Sequence, residues 1–243
     1  MKTEKIIYSA NGERFEGVLV FDPAGGKRPG VLMAPNWMGV DGDAVACAQK
    51  IATEGGYSVF VADMYGVGKR PTNHPEAAAL ANPLRAAPLE IRSRITAAFE
   101  TLIAEAGARG VLDADRLAAI GFCFGGGNVL DLVRSGAKAQ AVVSIHGDLA
   151  TPMPAQPGDI EAAVLAIHGA ADPVAPKAQR DGFETEMDTA GCRWRMHVFG
   201  GVVHSFTDEG VNVPGIAVHD EKAARATFKW TYEFIQDAFD DRV

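Results

Sequence analysis

The stretch GFCFGGG, residues 121–127, places a cysteine where an apolar, strand-like run (117–122) meets a helix-like run. Gly121, Cys123 and Gly125 have the spacing of a nucleophile elbow, a sharp turn whose strained backbone excludes bulky neighbours. The partial positive charge at a helix N-terminus favours a thiolate over a thiol. The pattern therefore predicts a nucleophilic Cys123, and the alternative is a structural cysteine buried beside a tight turn.

A cysteine nucleophile needs a histidine base and a carboxylate that orients the histidine. In an elbow enzyme the acid and then the histidine follow the nucleophile, in loops after later strands. Asp172 follows the apolar run VLAIHGA (164–170), and His204 follows HVFGGVV (197–203). We interpret the remaining histidines as strand residues (His146, His168 and His197) or as solvent-facing residues (His74 and His219). The predicted triad is therefore Cys123, His204 and Asp172.

Two backbone N–H groups are predicted to stabilise an oxyanion. The first belongs to Phe124, the residue after the nucleophile. The second belongs to Trp37, in the loop that follows the strand-like run PGVLMAP (29–35). Loops at strand ends bind ligands in open α/β sheets, although aromatic side chains there can equally well pack a loop. On this basis the predicted substrate-binding residues are Asn36, Met38, Tyr65 and Phe206.

Short apolar runs alternate with helix-like segments along almost the whole chain, which is the pattern of an α/β sheet with crossover helices. Residues 5–9 and 14–21 are predicted to form a hairpin that turns at Asn11-Gly12. We predict a mostly parallel sheet of about eight strands, with helices on both faces, in a single domain over residues 1–243. The other predicted strands are 29–35, 57–66, 117–122, 139–147, 162–172 and 193–201, and the predicted helices are 43–54, 75–108 with interruptions at Pro83 and Pro88, 125–135 and 218–240.

Composition excludes several classes of protein. The chain is 47% hydrophobic and 22% charged, as in a typical globular protein, and no apolar run reaches the roughly 18 residues that cross a bilayer. The N-terminus has no apolar region typical of a secretory signal, so we expect a cytoplasmic protein. A net charge of −8 with scattered basic residues argues against nucleic-acid binding. The three cysteines form no C-x-x-C pair, so neither a disulfide framework nor a zinc site is predicted.

The motifs together resemble the dienelactone hydrolase family of the α/β-hydrolase superfamily, over nearly the whole chain. The resemblance rests on GFCFGGG (121–127), HGAADP (168–173), GGVVHSF (200–206) and PNWMG (35–39). It implies an α/β-hydrolase fold and a carboxylesterase whose Cys-His-Asp triad attacks the carbonyl of a small ester or lactone. A thioester acyl-enzyme would form and be hydrolysed by water. The resemblance implies neither a metal nor an organic cofactor.

Two positions depart from the family pattern. Members typically carry a glutamate at the position of Asn36, where it contacts the nucleophile, and an arginine at the position of Asp208, where it holds the substrate carboxylate. Since Asn36 cannot take up a proton, we expect Cys123 to depend on His204 alone for activation. Since Asp208 would repel a carboxylate, we expect a neutral or differently charged ester or lactone instead of dienelactone. Positive charge could still come from the helical region, which holds Arg85, Arg92 and Arg94.

Two other functions stay open at this point. Asn36 and Asp208 remove charged groups that the family normally uses, which is compatible with a ligand-binding protein that has lost efficient deacylation. A reactive Cys123 is also compatible with a thiol redox protein. The glycine run lacks the spacing of nucleotide-binding motifs. The complete triad favours hydrolysis over both alternatives, and the sequence indicates no particular oligomeric state.

Overall fold

The computed structural model describes residues 1–243, which form two compact units, residues 1–120 and 121–243. The boundary falls near the end of one strand, β5 (Leu112–Phe122). The single domain expected from the sequence stays a prediction. None of the helices combines the length and the apolar character that crossing a lipid bilayer requires.

The first unit begins with the predicted hairpin. Its strands pair antiparallel from Lys2 opposite Phe21 to Ala10 opposite Glu13. The turn residues Asn11 and Gly12 both have positive φ (48° and 77°), which is the backbone that an Asn-Gly turn supplies. Besides β5, the unit's elements are β1 (Lys2–Ala10), β2 (Glu13–Phe21), β3 (Arg28–Ala34), α1 (Gly42–Glu54), β4 (Ser58–Val61), α2 (His74–Arg85) and α3 (Pro88–Ala108). The strand order is β1-β2-β4-β3-β5, with β2 antiparallel and β3 parallel to β4.

Helix α3 packs closely on the strands of the first unit. At Gly30 in β3, a Cβ atom would lie 2.6 Å from the side chain of Leu112 in β5 and 3.5 Å from that of Leu102 in α3, so glycine leaves room for both side chains. The predicted interruption at Pro88 is confirmed, because α2 ends at Arg85 and α3 begins at Pro88. The predicted interruption at Pro83 is wrong. Pro83 lies in the last turn of α2, where it removes one hydrogen bond, to the carbonyl of the residue four positions earlier, and the helix continues to Arg85.

The second unit consists of α4 (Phe124–Arg134), β6 (Ala141–Ile145), β7 (Ala163–Gly169), α5 (Lys177–Ala190), β8 (Trp194–Phe199), β9 (Asn212–Val213), β10 (Ala217–Val218) and α6 (Glu221–Phe239). Three of its strands are parallel, in the order β6-β7-β8. Helix α4 packs against β6, and α6 packs against β6 and β7. Arg134 of α4 forms a buried ion pair with Glu186 of α5, in which Nε lies 2.8 Å from Oε1 and Nη2 lies 2.7 Å from Oε2.

These strands and helices confirm the predicted fold class, an α/β-hydrolase fold with a mostly parallel sheet of eight strands. Helix α5 and the short antiparallel pair of β9 and β10 were not part of the prediction. The three predicted triad residues all lie just beyond strand ends. Cys123 follows β5, Asp172 lies three residues after β7, and His204 lies five residues after β8.

Candidate active site

The backbone at Cys123 has the strained geometry of an elbow. Cys123 has φ 52° and ψ −119° and is the N-cap of α4. A Cβ atom at Gly121 would lie 2.1 Å from the carbonyl oxygen of Gly125, so no side chain fits there. At Gly126 a Cβ atom would lie 2.6 Å from the Cα of Gly147, in the loop after β6. The glycines of the motif therefore bring α4 close to the neighbouring backbone and hold the thiol at the turn.

Backbone hydrogen bonds hold the loop that carries His204. The N–H of His204 donates to the carbonyl of Ile216 at 3.1 Å, and the N–H of Val218 donates to the carbonyl of His204 at 3.2 Å. His204 thus forms an isolated parallel bridge with Ala217 of β10. The short β9 and β10 pair therefore fixes the backbone from which the imidazole projects.

Three side chains form one hydrogen-bonded array. His204 Nε2 lies 3.1 Å from the Sγ of Cys123, and His204 Nδ1 lies 2.8 Å from Oδ2 of Asp172. The other carboxylate oxygen of Asp172 accepts from the N–H groups of Val174 (2.8 Å) and Ala175 (3.1 Å). All three residues are buried: Cys123 is 6% exposed, His204 is 4% exposed and Asp172 is 3% exposed. The structure thus brings together the three residues predicted from their chain order.

Neighbouring charges favour an imidazolium at His204. Burial by itself would lower the pKa of His204, but hydrogen bonds to Asp172 and Cys123, with the negative charges of both groups, raise it to about 10. Burial by itself would raise the pKa of Asp172, but the hydrogen bond and charge of His204 and two backbone N–H groups bring it below its usual value. The array therefore suits a charged histidine between a carboxylate and a thiolate.

Of the two predicted oxyanion donors, Phe124 lies in the second unit. It is the first residue of α4, so its N–H belongs to the end of the helix that carries partial positive charge. The N–H of Cys123 is used differently, since it donates to the carbonyl of Ile145 (3.1 Å) and to Nδ1 of His146 (3.2 Å). Phe206, predicted to contact substrate, is fully buried, and its ring packs edge to face on His146 at 5.1 Å. The roles of Phe124 and Phe206 stay predictions.

The other predicted donor, Trp37, lies in a compact loop of the first unit. The side chain of Asn36 accepts from the N–H of Met38 at 2.8 Å, and the N–H of Gly39 donates to the carbonyl of Asn36 at 3.0 Å. The hydroxyl of Tyr65 donates to the carbonyl of Trp37 at 2.7 Å. Three predicted site residues, Asn36, Trp37 and Met38, thus lie in one hydrogen-bonded loop, to which Tyr65 bonds from the loop after β4. The roles of all four residues also stay predictions.

A model of the dienelactone hydrolase family matches residues 15–239. The chain belongs to the dienelactone hydrolase family. This confirms the resemblance found in the motifs, and it identifies the protein as a hydrolase whose family acts on small molecules.

Solved structures have a similar fold, and one curated relative has a similar sequence. A dienelactone hydrolase-like promiscuous phosphotriesterase from metagenomic libraries is 29% identical, with a TM-score of 0.87 and 98% of each chain covered. The carboxylesterase Cest-2923 of Lactobacillus plantarum shares the fold alone, at 14% identity and a TM-score of 0.72, again with 98% of each chain covered. An uncharacterised protein of Caenorhabditis elegans is 34% identical over 134 residues, which is 53% of this chain and 84% of the relative.

The two departures from the dienelactone hydrolase pattern have local structural roles. Asp208 accepts a hydrogen bond from the N–H of Gly210 at 3.1 Å, in the turn that follows His204. Asn36 closes the turn of its own loop, as described above. In the first unit, Arg94 is committed to Glu90 (2.7 Å), Glu13 (3.2 Å) and the carbonyl of Met64 (2.8 Å). Arg94 is one of the arginines that could have bound a substrate carboxylate, but two carboxylates of the protein already balance its charge.

Sequence analysis missed two residues of the site in this dienelactone hydrolase family member. It interpreted His146 as a strand residue, but β6 ends at Ile145 and His146 begins the following loop with φ 38°. Thr207, whose hydroxyl lies 2.8 Å from His146 Nε2, was not considered at all. The Gly147 that ends the apolar run was the available signal for a turn at His146. No group of three or more His, Cys, Asp and Glu side chains is arranged to hold a metal ion.

Proposed function

We propose that this protein hydrolyses small neutral esters or lactones, with Cys123 as the nucleophile, His204 as the acid and base, and Asp172 as the orienting carboxylate. The observation that carries the proposal is the hydrogen-bonded array of the three side chains. His204 Nε2 lies 3.1 Å from the Sγ of Cys123, and His204 Nδ1 lies 2.8 Å from Oδ2 of Asp172. Nucleophile, base and orienting group within hydrogen-bond reach of one another are the signature of nucleophilic catalysis.

In the first half of the reaction, the thiolate of Cys123 attacks the carbonyl carbon and forms a tetrahedral intermediate. The amides of Phe124 and Trp37 are the proposed donors to its oxyanion. The Cys123 amide has a different task, because it is already bonded to Ile145 and His146. As the intermediate collapses, His204 gives its proton to the leaving alcohol oxygen, and the acyl group stays on sulfur as a thioester.

In the second half, the now neutral His204 takes a proton from a water molecule, and the resulting hydroxide attacks the thioester carbonyl. The C–S bond breaks, the acid product leaves, and Cys123 regains its thiolate beside the protonated His204. Asp172 stabilises this imidazolium and keeps Nδ1 directed at itself, so that Nε2 faces sulfur. Every proton transfer of the cycle therefore passes through Nε2.

The charges at Asp208 and Arg94 support a neutral substrate. Asp208 lies four residues after His204, where a family arginine would have attracted a carboxylate. In the first unit Arg94 is neutralised by Glu90 and Glu13, and the whole chain carries a net charge of −8. An anionic substrate would meet repulsion without a compensating free cation at these positions.

The proposal is tested by mixing the protein with activated neutral esters, lactones and dienelactone, and following the intact mass. We expect an acyl adduct that forms and decays with turnover, and that is absent in Cys123→Ala. Cys192→Ala is the matched control, since Cys192 lies half-buried against Met187 and outside the array. Cys123→Ser should be weakly active, because a hydroxyl needs a stronger base than a thiol does.

The same experiment separates the alternative functions. An adduct that persists without turnover would favour a ligand-binding protein that has lost deacylation. No adduct with any substrate, together with reversible oxidation of Cys123 by peroxide, would favour the thiol redox protein. Turnover that survives in Cys123→Ala would refute the assignment of the nucleophile.

Activated phosphotriesters belong in the substrate panel for a specific reason. A relative at 29% identity that spans 98% of both chains is described as a promiscuous phosphotriesterase. Such triesters are uncharged, which matches the substrate class proposed here, and a thiolate can attack phosphorus in place of a carbonyl carbon. A phosphoryl adduct on Cys123 would extend the proposal to this class, and its absence alongside ester turnover would limit the protein to carboxylic esters.

A further inference from the structure

A second buried histidine contacts the backbone of the nucleophile turn. His146 is 2% exposed, and its Nδ1 accepts a hydrogen bond from the backbone N–H of Cys123 at 3.2 Å. Its own backbone has φ 38°, a conformation that is uncommon for a residue with a side chain. Positions that keep such strain are held by their surroundings and cluster at functional sites.

The other end of the same ring is bonded to the loop of the base. His146 Nε2 lies 2.8 Å from the hydroxyl of Thr207, which is three residues after His204. The ring also packs edge to face on the imidazole of His204, with centroids 5.2 Å apart. His146 therefore contacts the elbow backbone, the ring of the base and the loop that carries the base.

The charge state of His146 fixes its hydrogen-bonding pattern. Its pKa is well below the usual value, because burial and the positive charge of His204 outweigh the attraction of Asp172. A neutral imidazole has one donor and one acceptor nitrogen. Since Nδ1 accepts from Cys123, Nε2 carries the proton and donates it to Thr207.

We propose that His146 is a positioning residue, a neutral link that holds the Cys123 turn and the His204 loop at the separation that the Sγ to Nε2 hydrogen bond requires. This rests on the proposed function for its catalytic meaning, but the link itself acts on the reactivity of the thiol with any reagent. Cys123 has φ 52°, and its N–H bond to His146 opposes relaxation of that strained turn. The Thr207 end opposes movement of the loop away from sulfur.

The test measures how fast iodoacetamide alkylates Cys123 between pH 5 and 10, which reports the thiolate beside His204 without requiring any substrate. Removing both hydrogen bonds in His146→Leu should slow alkylation at pH 6 by about tenfold and move the profile to higher pH. Thr207→Val removes only the second bond, so we expect a loss of about threefold. His146→Asn should recover part of the rate, because asparagine tolerates positive φ and places an acceptor near the position of Nδ1.

Thr227→Val is the matched control for the threonine variant. Thr227 is fully buried in α6 of the same unit, and its hydroxyl has no hydrogen-bond partner, so this change should leave the alkylation profile unchanged. Melting temperatures of all variants are measured alongside. If His146→Leu and Thr207→Val melt earlier but keep the wild-type alkylation profile, His146 only packs the core and the inference is wrong.

Failure of the proposed function gives a different result. In that case no ester would produce an acyl adduct, yet alkylation of wild-type Cys123 would still depend on His146 and Thr207. If instead acyl turnover is normal and alkylation is insensitive to both variants, the proposed function stands and the positioning role does not. Should His146→Leu fail to fold, Thr207→Val still decides, because it keeps the ring in place and removes only a hydroxyl.

Discussion

Gly121 is the residue at which the elbow tolerates least change. A Cβ atom there would lie 2.1 Å from the Gly125 carbonyl oxygen and 2.8 Å from the Gly126 nitrogen, both backbone atoms that no rotamer change can move. Gly121→Ala should therefore lower the free energy of unfolding by about 3 kcal/mol, at the upper end of overpacking costs. Urea unfolding measures this loss directly.

Gly182→Ala is the control for that substitution. Gly182 lies inside α5, where an added Cβ would meet nothing within 4 Å. Since alanine is the better helix former, this change should raise the free energy of unfolding by about 0.5–1 kcal/mol. Equal effects of the two substitutions would mean that the elbow relaxes to accept a side chain, which would contradict the argument from close approach.

Among the elements of the first unit, the loop after β4 holds the loop after β3. The buried carboxylate of Asp63 accepts from the N–H groups of Tyr65 (2.9 Å) and Gly66 (3.1 Å), and from Arg70 (3.2 Å). Tyr65 in turn bonds the carbonyl of Trp37 at 2.7 Å. Two connected loops therefore hold Trp37, the residue whose N–H is the second proposed oxyanion donor, through its carbonyl group.

Tyr65→Phe tests this connection. Loss of the hydroxyl should cost about 1 kcal/mol of stability and release the carbonyl of Trp37, so that the backbone of this residue is held less firmly. With the proposed oxyanion role, kcat for an activated ester should fall about tenfold while KM changes little, because the lost interaction is made in the transition state. A rise in KM at unchanged kcat would instead make Tyr65 part of substrate binding.

Local patterns predicted most elements, and long-range contacts explain the ones that were missed. The hairpin followed from Asn11-Gly12, and the strand-to-helix turn at Cys123 followed from the spacing of the glycines around it. Helix α5 was missed because it has few apolar residues. It is tied to α4 by the buried ion pair of Glu186 and Arg134, which are 52 residues apart in the chain. His146 was missed as a site residue for a similar reason, since its partners lie 23 and 61 residues away.

At the scale of the whole molecule, the buried histidines predict how stability depends on pH. His168 has a pKa lowered to about 4, chiefly by burial, and the pKa of His146 is also lowered. As pH falls from 6.5 toward 4, the unfolded chain binds protons at these positions and the folded chain does not, so the free energy of unfolding falls. The effect of His204 on stability has the opposite sign. Its pKa is about 10, so its contribution to the free energy of unfolding is fully present below pH 6.5 and is lost as pH rises toward 10.

The free energy of unfolding should therefore be greatest near pH 6.5. Two variants separate its decline toward pH 4 (the acid limb) from its decline toward pH 10. His168→Leu removes a fully buried ring with two unpartnered nitrogens, so the decline from pH 6.5 to 4 should shrink by roughly 3 kcal/mol. His204→Gln should remove most of the loss of stability between pH 6.5 and 10. It should keep most of the loss between pH 6.5 and 4, because burial is the largest cause of the lowered pKa values of His168 and His146. Urea unfolding at half-unit pH steps measures both. An acid limb that stays as steep in His168→Leu would show that His168 accepts a proton in the folded protein, because the two unpartnered nitrogens would then have found a partner.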